Sequence, residues 1–318
     1  GPDYRIVFLA DEIGQYIGDN QQLMLNLQTV TEDLGTYCNG KVWVIVTSQE
    51  SIDSIIKVKG NDFSKIQGRF DTRLSLSSIS VDEVIKKRIL AKTEHATDML
   101  KVLYHENSAI LKNLISFKES TADLRGYDNE TEFAEVYPFI PYQFKLLQNV
   151  FEQIRKHGSS GKHLSEGERS MLSAFKEAAL RYKNAEEGTL VPFYAFYETI
   201  REFLTPSVAR VIEGAYENPV LKDDEFNMEL LKVLFMIKYI KELPANIENI
   251  ATLMVTHIHE DKLALKEKIK NSLRKLISQT LIQKNGDHYI FLTDDEQDIN
   301  REIKLINVDE EIVKRELA

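Results

Sequence analysis

Asp11 and Glu12 follow directly on the run Ile6-Val7-Phe8-Leu9-Ala10. A continuous apolar run of that length predicts a strand buried on both faces of a parallel sheet, with the acidic pair at its carboxyl end. Two neighbouring carboxylates at such a place suit the hydrolysis of a bound triphosphate. Asp11 would hold part of a Mg²⁺ shell while Glu12 polarises the attacking water. A second apolar run, Val42-Trp43-Val44-Ile45-Val46, leads into Thr47-Ser48-Gln49-Glu50. Thr47, Ser48 or Gln49 could each contact a terminal phosphate or the attacking water, and residue type does not choose between them. Farther on, Gly68-Arg69-Phe70-Asp71-Thr72-Arg73 carries two arginines. An arginine offered to a neighbouring subunit's triphosphate stabilises transition-state charge, and Arg69 is the first choice for it.

Ligands of open α/β sheets bind outside the carboxyl ends of the strands, so the supporting elements have to bring those ends together. Between the two apolar runs, Leu23, Leu27, Val30 and Leu34 repeat at helical spacing, completing one βαβ unit. From Ser80 onward helices dominate. Ser80-Val81-Asp82-Glu83 has the form of a capping box and predicts a helix continuing past Leu103. Pro138 and Pro141 precede a predicted helix from Tyr142 to about Lys156. Ser165-Glu166-Gly167-Glu168 is a second capping box, with Arg169 in the first turns of its helix. Phe193 to Phe203 is aromatic-rich core with a helical pattern, and Glu217-Asn218-Pro219 marks a boundary.

The last hundred residues read as helices over about 225–241, 246–257 and 261–280, then a hairpin around Asn285-Gly286-Asp287, which is the layout of a winged helix. Its third helix carries Lys262, Lys266, Lys268, Lys270, Arg274 and Lys275 with Glu267 opposing them, a candidate nucleic-acid-binding face. The competing reading of that face is a solvated helix that balances the acidic tail from Asp294 to Ala318.

Composition narrows the setting. The 318 residues are 43% hydrophobic and 28% charged, with a net charge of −10. That balance argues against a nucleic-acid binder over its whole surface, though not against a local basic face. No apolar run approaches the roughly 20 residues that cross a bilayer. The one cysteine, Cys38, cannot form an internal disulfide, and the N-terminus lacks the pattern of a secretory signal, so a cytoplasmic location is expected.

The stretch Phe8-Leu9-Ala10-Asp11-Glu12-Ile13-Gly14-Gln15-Tyr16-Ile17-Gly18 resembles the extended Walker B block of the BREX phage-exclusion ATPases, the BrxC/PglY family of AAA+-type P-loop proteins. Val42 to Glu50 is similar to their sensor 1 strand, and Gly68-Arg69-Phe70 to their arginine-finger region. Gly167-Glu168-Arg169-Ser170-Met171-Leu172 resembles the lid helix that carries a sensor 2 arginine. The resemblance implies Asp11 as the metal-shell residue, Glu12 as catalytic base and Arg169 as the lid residue that reports nucleotide state. It implies ATP and Mg²⁺ as cofactors, a homo-oligomer with sites at subunit interfaces, other BREX proteins and DNA as partners, and a lid and winged helix that move against the base.

The fold expected is α/β and then mainly α. A partial AAA+ base spans 1–78, a helical lid 79–184, a helical connector 185–224, a winged helix 225–293 and a charged helix or tail 294–318. One departure matters, because no Gly-x-x-x-x-Gly-Lys-Ser/Thr occurs in the sequence. Without that loop the phosphates lose their backbone cradle and its lysine. The chain is therefore expected to be a fragment that does not turn over ATP by itself. Two other readings share this order of parts: a non-hydrolysing winged-helix interaction module, and an origin-licensing or loader-type AAA+ ATPase. Tyr16 to Gly18 speaks against the latter.

Overall fold

The first apolar run forms strand β1 (Ile6–Ala10), and after a turn at Asp11-Glu12 come α1 (Ile13–Ile17), α2 (Gln21–Tyr37) and β2 (Val42–Val46). These elements are seen in a computed structural model that describes residues 4–17, 21–47, 72, 79–157 and 167–305. The chain divides into two compact units, Gly1–Ser77 and Ser78–Ala318. In the first, β1 and β2 pair in parallel with Ile6 opposite Val42 and Ala10 opposite Val46. Asn39 and Gly40, both with positive φ, make the turn that leads from α2 into β2. That conformation is cheap for glycine and tolerated by asparagine.

Burial of β1 on both faces, expected from its apolar run, is not what the structure has. Val7, Leu9, Trp43 and Ile45 share one face by the alternation of the strands, and Leu9 is 76% exposed and Trp43 49%. Burying a parallel sheet takes flanking strands and helices on both faces. Among the described residues this pair has one helix, α2, in contact with β2 and no third strand.

The second unit is mainly helical. Helix α3 (Ile79–Val84) runs into a π-helical turn, Ile85–Ile89, closed by Leu90 N–H donating to Ile85 O at 2.9 Å. Then α4 (Glu94–Leu114) starts afresh, with Thr93 Oγ1 accepting from Ala96 N–H. The single helix expected from Ser80 past Leu103 is thus two helices. Ser80 lies inside α3, and the N-cap that operates is Thr93, whose hydroxyl satisfies an otherwise orphaned amide.

There follow α5 (Glu130–Val136), α6 (Pro141–His157), α7 (Gly167–Arg181), a 3₁₀ turn over Phe193–Phe196, α8 (Tyr197–Arg201) and α9 (Pro206–Glu217). Helices α10 (Glu225–Ile237), α11 (Ile247–Met254) and α12 (Lys262–Ser278) each begin at a capping side chain, Asp224, Asn246 and Asp261. The antiparallel hairpin β3 (Ile282–Asn285) and β4 (His288–Phe291) turns at Gly286 and precedes α13 (Asp294–Leu305).

One hydrophobic core runs from Val81 to Phe291 and takes in Phe193, Phe196 and Tyr197 of the aromatic stretch. Buried polar side chains stitch distant segments through it. Asn249 accepts from Lys118 N–H at 2.7 Å and donates to Lys118 O at 2.9 Å and Pro244 O at 2.8 Å. Gln143 donates to Val191 O at 2.6 Å while its own oxygen accepts from Ile140 N–H. Leu190 N–H donates to Thr256 O and Ile258 N–H to Gly188 O, both at 2.8 Å. The residues assigned by sequence to a lid and to a winged helix therefore share one interior. No helix among the described residues is long and apolar enough to cross a membrane.

Candidate functional site

The parallel register sets Ala10 opposite Val46, so the residues that follow, Asp11 and Thr47, emerge side by side at the carboxyl ends of β1 and β2. Thr47 fastens the turn after β1. Its N–H donates to Ala10 O and its carbonyl accepts from Ile13 N–H, each at 3.0 Å. Its hydroxyl donates to Asp11 Oδ1 in a short hydrogen bond. The same oxygen accepts from Glu12 N–H at 3.0 Å, an amide that also lies 3.2 Å from Asp11 Oδ1. A hydroxyl has one proton to give, and here the carboxylate takes it.

Glu12 has φ of +51°. A glutamate in the left-handed region costs about 1–2 kcal/mol, and such strain collects at functional turns. Nothing in the residue type signals this conformation, because glutamate lacks the short side chain that lets asparagine and aspartate compensate locally. Asp11 is exposed and Glu12 half-buried.

Asp11 suits Mg²⁺, which takes one or two carboxylates and fills the rest of its octahedron with water and phosphate oxygens. Among the described residues no group of three or more His, Cys, Asp or Glu side chains forms a protein-only metal cage. The turn offers a metal the carboxylate of Asp11, and the sequence has no phosphate-binding loop. Of the three alternatives after β2, the structure brings Thr47 to the carboxylate; Ser48, Gln49 and Arg69 lie outside the described residues. Arg169 is exposed in the first turn of α7, in the second unit.

The basic residues of α12 are not one face. Leu265, Ile269, Leu273 and Leu276 turn one side of the helix into the core, and the cations divide to either flank of it. Lys262 is turned inward: its ammonium donates to Leu114 O at 2.9 Å, to Asn113 O and Ser116 Oγ at 3.2 Å, and approaches Thr252 Oγ1 at 3.4 Å. It caps the C-terminus of α4, and burial pulls its pKa below the ordinary lysine value. Lys266 pairs with Glu248 at 2.6 Å, a hydrogen bond that holds the Glu248 carboxyl below the usual range. Lys268 sits 4.1 Å from the centre of the Phe226 ring. Lys270 pairs with Glu267 at 2.6 Å, Arg274 donates to Asn271, and Lys275 is exposed in the last turn. Sequence reasoning missed the capping role of Lys262, and its partners 148 and 149 positions away leave no local signal.

His257 carries no ligand position to spare. Its Nδ1 accepts from His259 N–H at 3.0 Å, so in the neutral ring Nε2 bears the proton and donates to Glu187 O at 3.1 Å. No protein-family model matches the chain, and no solved structure matches it.

Proposed function

We propose that this chain is part of an AAA+-type P-loop ATPase of the BREX phage-exclusion kind, supplying the magnesium-handling and water-activating side of the nucleotide site. The observation that carries the reading is the hydrogen-bonded trio Asp11, Glu12 and Thr47 at the carboxyl ends of two adjacent parallel strands. In this reading Asp11 contributes to the metal shell and Glu12 accepts the proton of the attacking water. Mg²⁺, when bound, neutralises charge on the phosphate oxygens.

The phosphate cradle comes from a segment outside this sequence, and Arg69 and Arg169 serve as interface and lid cations. The helices and hairpin over 225–293 act as a winged helix. The BREX assignment rests on the resemblance of Phe8 to Gly18, and with it come a homo-oligomer, other BREX proteins and DNA as partners. The role is remodelling of a DNA–protein complex in the cytoplasm.

Two measurements test this. The chain alone should leave ATP unhydrolysed, and the parent protein should hydrolyse it with Glu12→Gln reducing turnover at least a hundredfold, the scale of a lost general base. Full turnover by the Glu12→Gln parent would remove the proposal.

A second reading, a non-hydrolysing interaction module, is favoured by the α12 cations. Lys262 and Lys266 are held by partners on other elements, while Lys268, Lys270, Arg274 and Lys275, of which Lys270 pairs only with Glu267 one turn away on the same helix, remain for any phosphate contact. Under that reading the parent binds its partners equally well with and without nucleotide.

A further inference from the structure

We infer that Thr47 is a positioning residue whose hydroxyl holds the Asp11-Glu12 turn in shape. The inference rests on the nucleotide-site reading for its purpose, but its geometry stands by itself. Asp11 and Thr47 lie 36 positions apart in sequence and meet because β1 and β2 run parallel in register. The hydroxyl serves both partners at once, donating to the Asp11 carboxylate and accepting the Glu12 amide.

Two consequences follow. Asp11 Oδ1 receives the Thr47 hydroxyl and lies within reach of the Glu12 amide, so the carboxylate is fixed by one oxygen and Oδ2 takes part in neither bond. Glu12 sits at φ +51°, a conformation that costs a residue with a Cβ. With the amide held on Thr47 Oγ1, an ordinary φ would redirect the glutamate side chain and the chain that follows it. The main-chain bonds of Thr47 to Ala10 and Ile13 bracket the turn but do not touch Asp11 or Glu12. The side chain therefore has a task that the backbone cannot perform. Threonine suits it for a second reason: a β-branched side chain has a restricted χ1, so little rotamer freedom is lost when the hydroxyl is aimed. This role differs from contact with a terminal phosphate, because here Thr47 acts through the two acidic residues and not on a ligand.

The test uses the whole chain, three Thr47 variants and Glu12→Gly alone as the reference for the double variant. Thr47→Val keeps the shape and removes the hydroxyl, Thr47→Ser keeps the hydroxyl, and Thr47→Val combined with Glu12→Gly also relieves the left-handed strain. Amide hydrogen exchange of Glu12, read by NMR, should speed up about tenfold in Thr47→Val and stay near the parent rate in Thr47→Ser. The loss of thermal stability caused by Thr47→Val should shrink in the Glu12→Gly background, a coupling that an unrelated packing defect would not produce. Equal exchange in the parent and Thr47→Val, or equal stability loss in both backgrounds, overturns the inference even if one variant folds poorly.

Mn²⁺, added as a probe, separates this inference from the reading it rests on. Broadening around Asp11 that weakens in Thr47→Val supports both. Broadening of equal strength in the parent and Thr47→Val leaves the metal site standing and sinks the positioning role. No broadening in any variant, with Glu12 exchange still responding to Thr47→Val, upholds the positioning role and removes the metal-site reading.

Discussion

Replacing Lys262 with methionine separates a structural cation from a nucleic-acid contact. Methionine keeps a long apolar side chain and deletes the ammonium, so Leu114 O and Asn113 O lose their partner at the end of α4. Hydrogen bonds from a charged donor are worth about 1.5–3 kcal/mol net. A cation at a helix C-terminus adds about 0.3–1 kcal/mol. Against this stands the cost of half-burying the ammonium, which is why its pKa is drawn down. The balance is a loss of about 2–3 kcal/mol. In a unit of this size each kcal/mol moves the melting temperature by about 2–4 °C, so Lys262→Met should melt about 4–12 °C lower. Differential scanning calorimetry reads this directly, with exposed Lys275→Met as a control expected to stay within about 0.5 kcal/mol of the parent. Where Lys262→Met remains folded, its affinity for duplex DNA and the salt dependence of that affinity should match the parent. Lys270→Glu with Lys275→Glu should flatten the salt dependence if α12 touches phosphates at all. A Lys262→Met protein that melts with the control, or that binds DNA more weakly at unchanged stability, refutes the capping role.

Three further outcomes follow from the same geometry. Burial pushes the Glu132 carboxyl up, but the two-pronged bond from Arg125 at 2.8 and 2.9 Å and the Asp128 amide outweigh it and hold it below its usual value. Its contribution is present above the unfolded pKa of about 4.5 and is lost as pH falls through the lower folded value, so urea midpoints of Glu132→Gln should show less acid sensitivity than those of the parent. Lys92 gives the same slope in an alkaline window, there as a cost relieved by deprotonation, since burial pushes its amine down to about 8 while it donates to Glu135 O at 2.9 Å. The unfolded chain binds more protons between about pH 8 and 10.5, stability rises with pH across that window, and Lys92→Met should flatten the rise in chemical denaturation. Gly188 has φ +86°, and a Cβ there would meet His257 Nε2 at 2.7 Å. Gly188→Ala should therefore cost about 1–3 kcal/mol, and adding His257→Ala should recover the steric part but not the backbone part; an additive double mutant would show that the ring is not what the methyl meets.

The alternation of apolar run, helical period and apolar run was sufficient to read β1, α2 and β2 as elements, because each run's spacing is a local property of the sequence. Helix α6 and the spans of α10, α11 and α12 were legible from their helical patterns, and the structure adds the caps Asp224, Asn246 and Asp261 at the starts of the last three. The hairpin was legible from Gly286, which takes the positive φ at the first turn position, while Asn285 pairs with His288 at the end of the strand and does not enter the turn. The break between α3 and α4 was not legible, because Thr93 competes with a continuous helical pattern, and the π turn before it has no sequence signature of its own. Nor was the exposure of Leu9 and Trp43, since an apolar run states what a strand can bury and not what lies over it. At the site, Asp11 and Glu12 were visible as residue types. The bond from Thr47 and the left-handed backbone of Glu12 arise only once two strands are in register.

That distinction bears on how force would pass through the second unit in the proposed function. In that reading a lid over 79–184 and a winged helix over 225–293 move against the base, and whether they also part from each other depends on what joins them. Here Lys262 caps α4, Asn249 pairs with the Lys118 backbone, Thr252 Oγ1 donates to Ser116 O at 2.7 Å, and Ser120 Oγ and Thr121 N–H both donate to Glu242 O at 3.0 Å. Separating the two segments would break all of these, at about 0.5–1.5 kcal/mol net for each bond exchanged with water, and would open the apolar interior they share. Such a sum is comparable to the whole stability of a domain. These contacts and the shared interior oppose a hinge within this unit, and the two segments are expected to respond to a ligand as one body. Cross-linking α4 to α12 through a pair of introduced cysteines should accordingly leave the parent's ATP turnover intact, and inhibition by the cross-link, reversed by reduction, would show that the segments do part.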